Sequence, residues 1–179
     1  MDNKIRYIHL SKKPICKLVD KNQNKTPSMQ PKGLWIAKDK EWIKFLDKNS
    51  SKDLNGYVYN VNLKFPVVKK LKDDNNVILK VGNQKELDKF MENYMVSNYK
   101  IDWKKLSNNC AGIIFDPYFY NKEMDPEKNR WYGTLDIASG CIWNCDAIGI
   151  DLIHENPASK LVRFNFRNKN PNLDKLLLS

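Results

Sequence analysis

The stretch Lys32–Ala37, KGLWIA, is too short for a helix and too apolar for a loop. A basic residue and a glycine lead into Leu34, Trp35 and Ile36, and the small Ala37 closes the run. Branched and aromatic residues in a short run bounded by turn-forming sequence read as a strand. The polar, proline-containing QNKTPSMQP supplies the upstream boundary. Downstream, KDKEWIKFLDKN sets Trp42, Phe45 and Leu46 at helical spacing, with Asp39 as a candidate cap.

Working outward, IRYIHLS (Ile5–Ser11) reads as an earlier strand. PICKLVDKN reads as a helix, with Pro14 in its first turn and Ile15, Leu18 and Val19 on one face. GYVYNVNLK and NVILKV are strands, and NQKELDKFMENYMV is a helix striped by Leu87, Phe90, Met91 and Tyr94. DWKKL is a short helical turn, and AGIIFDPYFY is a buried strand running into a proline. The charged NKEMDPEKNR reads as a loop. WYGTLDIASGCIWN reads as a strand pair or a strand broken at Gly140, and LVRFNFRN closes the chain as an alternating strand. This order predicts an α+β class within one domain over residues 1–179. It lacks the regular alternation of a doubly wound fold, and no G-x-G-x-x-G or P-loop is present, which excludes the ordinary dinucleotide and ATP cradles.

Hydrophobic residues make up 41% of the 179, enough for a sizeable core. The mean hydropathy of -0.65 and the lack of a membrane-length apolar run predict a soluble protein. MDNKIRYIHLSKKP has no apolar core or small-residue cleavage site, so no secretory signal is expected. Cys16, Cys110, Cys141 and Cys145 form no C-x-x-C pair, and only His9 and His154 supplement them, which argues against a metal site and for free thiols in a reducing compartment. The formal net charge of +10 fits an anionic ligand or nucleic acid. Because acids are interspersed with the lysines, nucleic-acid binding is expected to be weak and salt-dependent.

Taken in order, His9-Leu10-Ser11, Ile15, Leu18, a variable loop and then K-G-L-W-I-A resemble the ADP-ribosyltransferase superfamily. The closer branch is the poly(ADP-ribose) polymerase and diphtheria-toxin type, whose pattern is His-Gly-Ser or Thr, then Lys-Gly-x-Tyr-Phe-Ala. SGCIWNCDAI (Ser139–Ile148) and LVRFNF (Leu161–Phe166) look like that branch's later segments, so the likeness covers roughly residues 5–47 and 131–167. The resemblance implies a fold of split mixed β-sheets with flanking helices. It also implies cleavage of NAD at the nicotinamide bond, with transfer of ADP-ribose to an acceptor: a protein first, a nucleic acid second.

By the same resemblance His9 would hold an adenosine-side ribose hydroxyl, while Ser11 and the backbone at Leu10 would bind the nicotinamide carboxamide. Trp35 would stack on the nicotinamide ring, Ala37 would wall it, and Trp42 or Phe45 would stack from the other side. An indole offers more π face to a flat leaving group than a phenol does, and Gly33 would let backbone approach the ligand. The departure is at the branch's catalytic glutamate, whose place Ser139 takes. A serine supplies no charge to an oxocarbenium-like transition state, and losing one such group costs about 10²–10³ in rate. Asp136, three residues upstream, is the nearest carboxylate, and a bend at Gly140 would bring it to the same ribose.

Each residue also has a plain structural reading. His9, between Ile8 and Leu10, suits a satisfied core histidine; Trp35, Trp42 and Phe45 suit core packing; Ser139-Gly140 suits a bulge and Asp136 a turn. Three functions follow: a slow mono-ADP-ribosyltransferase, a degenerate NAD-, ADP-ribose- or partner-binding relative, and a basic nucleic-acid-binding domain. The first two would work inside a cell, cytoplasmic or nuclear, or after delivery into a host cell.

Overall fold

A computed structural model describes residues 7–38, 41, 56–72, 75–120 and 129–155. In chain order the strands are β1 (Tyr7–Ser11), β2 (Leu34–Lys38), β3 (Tyr57–Leu63), β4 (Val67–Val68) and β5 (Ile78–Val81). Helix α1 (Gln84–Tyr94), a hairpin of β6 (Met95–Ser97) and β7 (Lys100–Ile101), and helix α2 (Trp103–Ser107) come next. Strands β8 (Gly112–Phe115), β9 (Ser139–Ile142) and β10 (Ile148–Glu155) complete the described chain. Eight strands join one mixed sheet in the order β10-β3-β1-β2-β9-β8-β5-β4. The β4–β5 and β5–β8 pairs are parallel and the other pairs in this sheet antiparallel, an α+β architecture.

Strand alternation sorts the core into two clusters on opposite faces of this sheet. Leu79, Val81, Ile113, Phe115 and Trp143 belong to an aromatic cluster that α1 and α2 cover with Leu87, Phe90, Trp103 and Leu106. Ile36, Val61, Ile78, Ile114, Ile142 and Ile148 form the cluster on the other face. Helix α1 starts where its sequence allows: Asn83 Oδ1 accepts from Glu86 N at 2.9 Å, and the Glu86 carboxylate accepts from Gly82 N at 2.7 Å. Asp102 caps α2 in the same way, accepting from Lys105 N at 2.9 Å.

The feature that positions the site is a short ladder. Strand β1 pairs with β3 over five residues and β2 with β9 over four, yet β1 and β2 share only Tyr7–Lys38 and Ile8–Ala37. Beyond Ile8 the two halves of the sheet part company.

Three expectations need correcting. PICKLVDKN forms no helix, because its backbone is claimed by distant partners: Ile15 N donates to Tyr59 Oη at 2.8 Å and Lys21 N to the Trp143 carbonyl at 2.9 Å. Gly140 does not break its strand; it pairs in register with both Ile36 and Ile114. A β-carbon there would meet Ile113 O at 2.7 Å, so the glycine lets neighbouring strands pack closely. Finally, IGIDLIHE, for which no element was predicted, forms strand β10, at one end of the sheet among the described residues. The expected closing strand LVRFNFRN and most of the KDKEWIKFLDKN segment lie outside the described residues. No helix among the described residues is long and apolar enough to cross a membrane.

Candidate functional site

The parting of β1 from β2 is occupied by a side chain. His9 Nδ1 lies 2.6 Å from the main-chain oxygen of Trp35, across the gap where ladder bonds have stopped. A carbonyl only accepts, so Nδ1 carries the proton and the neutral ring keeps a lone pair on Nε2. Burial lowers the His9 pKa from its ordinary value, and the bond to Trp35 opposes that shift. His9 is therefore neutral at pH 7, and its Nε2 is fit to accept from a hydroxyl. Tyr59, directly opposite on β3, places its ring 6.4 Å from the imidazole.

Register then sorts the remaining candidates. Trp35 and Ala37 lie opposite Cys141 and Ser139, and Ser139 also lies opposite Phe115. Residues directly opposite one another share a face, so Trp35, Ala37 and Ser139 stand on the aromatic-cluster side, where the half-buried Trp35 packs. His9 shares its parity with Tyr7 and Tyr59, so by alternation its ring and the indole leave the sheet on opposite faces. The structure thus brings the His9 ring to the Trp35 backbone rather than to its ring.

Ser139 is 2% exposed, and its Oγ is a buried hydroxyl without a hydrogen-bond partner among the described residues. Such a group costs about 1–3 kcal/mol of desolvation unless something binds it. Asp136 is exposed and lies outside β9, just after a 3-10 turn over Tyr132–Leu135. Its φ of 60° and ψ of -36° are strained for a residue with a β-carbon. Partial desolvation raises its carboxyl pKa. The bend expected at Gly140 to bring Asp136 and Ser139 together is absent; the chain bends at 137–138 instead, ahead of β9.

Two further candidates are engaged locally. The Ser11 hydroxyl donates to the Lys13 carbonyl at 2.6 Å and accepts from Lys13 N at 3.3 Å, a turn that uses both its functions. A β-carbon at Gly33 would run into the Ile142 carbonyl and sit 2.6 Å from Cys141 Sγ, so this glycine serves strand packing. Leu10 is half-buried opposite Val58, a side chain where the resembled pattern has glycine. Trp42 and Phe45 lie outside the described residues.

Sequence reasoning missed two polar arrangements. Gln23, 6% exposed, accepts from Lys32 N at 2.9 Å and donates to Lys32 O at 2.6 Å and Lys21 O at 3.2 Å. It clamps the backbone directly ahead of Gly33. Asp116, at the end of β8, binds Lys80 Nζ at 3.0 Å and Lys38 Nζ at 3.6 Å. Burial first and the Asp116 charge second push the Tyr7 phenol up to about 12. The Asp-Pro step after an apolar strand marked that corner, but nothing local gave its partners. No group of three His, Cys, Asp or Glu side chains suited to a metal ion occurs among the described residues. Burial raises the Cys110 thiol to about 12 and raises Cys141 as well, so both are poor nucleophiles. No protein-family model, curated protein or solved structure matches this chain.

Proposed function

We propose that the chain is a slow NAD-dependent mono-ADP-ribosyltransferase working inside a cell, with a protein as the first acceptor class and a nucleic acid as the second. The observation that carries this reading is the His9–Trp35 contact at the parting of β1 and β2. It supports a neutral histidine acceptor beside the parting on one face of the sheet, while the dry hydroxyl of Ser139, two strands away, stands on the other face. In the reaction, water or an acceptor nucleophile replaces nicotinamide at the ribose C1′, and the leaving ring carries off the bonding electron pair. His9 Nε2 accepts from a ribose hydroxyl. Ser139, at the place of the resembled pattern's charged group, brings no charge to the transition state, which accounts for a low rate.

Ser139 also supports a second reading, a degenerate relative that binds NAD or ADP-ribose without turnover. Its buried neutral side chain stabilises little developing charge, and Leu10 stands where the resembled pattern has glycine. Incubation with NAD and a cell lysate, followed by chromatography for free nicotinamide and mass spectrometry of the products, separates the two. Nicotinamide release with a one-unit adduct supports the transferase. Thermal stabilisation by NAD without release supports the binder. Neither effect, in a folded protein, refutes both.

A further inference from the structure

Strand β1 reaches β2 through residues 12–32, a connection with no helix and no strand beyond a single bridge from Ser28 to Ile101. A connection of this length within a compact domain usually has a function. This one is fastened throughout. Ile15 N is held by Tyr59 Oη at 2.8 Å, Asp20 Oδ1 accepts from Cys145 N at 2.7 Å, and Gln30 Nε2 donates to Thr134 O at 2.8 Å. The backbone is therefore ordered before any partner arrives.

Its side chains are one-sided in charge. Lys12, Lys13, Lys17, Lys21, Lys25 and Lys32 face a single acid, Asp20, so the segment holds half of the chain's net +10. All six lysines are exposed. Lys38 and Lys80 are engaged by Asp116, whereas none of these six pairs with a carboxylate among the described residues. The Asp20 carboxylate is itself occupied by Cys145 N.

We infer that residues 12–32 form a docking surface for the phosphate backbone of a nucleic acid. Lysine is depleted from the cores of protein–protein interfaces, and Val19 is the single large exposed apolar side chain in this segment, so no anchor for a protein partner is present. Unpaired lysines on a pre-ordered backbone suit phosphates, which are bound through counterion release and without base readout. The surface begins directly after Ser11 and ends directly before Gly33, so a bound strand lies beside the parting of β1 and β2. The inference does not depend on NAD chemistry.

Fluorescence anisotropy with a labelled mixed-sequence single strand, titrated at several salt concentrations, tests it. Lys12, Lys13, Lys17 and Lys21→Gln together remove four of the charges, and Lys69, Lys70, Lys72 and Lys85→Gln, also exposed, serve as control. The first set should flatten the log–log salt dependence by about 3, from roughly 0.7 for each phosphate no longer neutralised. At low salt it should weaken binding more than tenfold, while the control changes neither and both variants keep the wild-type melting temperature. Equal weakening by the control set, no binding at low salt, or equally tight binding of polyglutamate would overturn the proposal.

Discussion

His9 Nδ1 stands 2.6 Å from the carbonyl oxygen of Trp35, a side chain of one strand closing the gap where its ladder with the next strand ends. Because burial depresses its pKa, the native protein binds this proton less readily than the unfolded chain. The associated stability is complete above the unfolded value of about 6.5 and is lost as pH falls through it towards the native value. His9→Gln, which does not titrate, should therefore lose its disadvantage on acidification. Thermal melts at neutral and mildly acid pH should show the wild-type lead shrinking; a lead independent of pH would contradict the assignment.

Ser139 offers a test in which stability and function separate. Its unpartnered hydroxyl is paid for by the fold, so Ser139→Ala should raise stability by up to about 1 kcal/mol, read by denaturant titration. The same variant should reduce stabilisation by NAD if the hydroxyl meets the ligand. Ser139→Glu places a carboxylate between Ala37 and Phe115, and faster nicotinamide release from that variant than from wild type would identify a weakened transferase. Asp136→Asn should cost more than tenfold in turnover if that carboxylate takes part; its exposure and its position outside β9 favour a smaller loss.

What was legible in the sequence follows the range of the forces involved. Strands β1, β2 and β3 and helix α1 announced themselves through period and boundary residues, because burial of one face dictates both. The neighbourhood of His9 and Trp35 was legible only from the order of motifs. The segment 14–22 misled, since Ile15, Leu18 and Val19 have helical spacing while the backbone bonds that decide the matter run to Tyr59 and Trp143. Strand β10 hid behind Gly149, Asp151 and His154, which are poor strand formers, although Ile148, Ile150 and Leu152 alternate correctly. The engagement of Ser11 and Gly33 depends on register and turn geometry, which no local pattern encodes.

Two of the three buried indoles among the described residues, Trp103 and Trp131, make a matched pair. Trp103 Nε1 donates to Ser28 O at 3.0 Å, while Trp131 Nε1, equally enclosed in the aromatic cluster, has no partner among the described residues. Replacement by phenylalanine removes the donor in both cases and a similar volume from the same core. Trp103→Phe should therefore cost about 1 kcal/mol more than Trp131→Phe, the worth of one hydrogen bond plus the carbonyl it strands. Denaturant titration of the two variants checks this, and equal losses would mean that Trp131 Nε1 is satisfied in solution.

Gln23 is the last and most specific case. Its amide treats the Lys32 backbone as a strand partner would, accepting from N–H and donating to C=O, with a further bond to Lys21 O. Gln23→Ala deletes three bonds and leaves Lys32 groups without partners, a loss of about 2–3 kcal/mol. Gln23→Glu is the sharper probe because its volume is unchanged. An ionised carboxylate there would face two carbonyl oxygens that currently receive protons, so destabilisation at pH 7 should equal or exceed that of alanine. Protonation restores a donor, so the deficit should narrow as pH falls through the carboxyl range. Denaturant titrations at both pH values decide it: a Gln23→Glu deficit that stays constant would show that the amide donors contribute nothing to holding the chain ahead of Gly33.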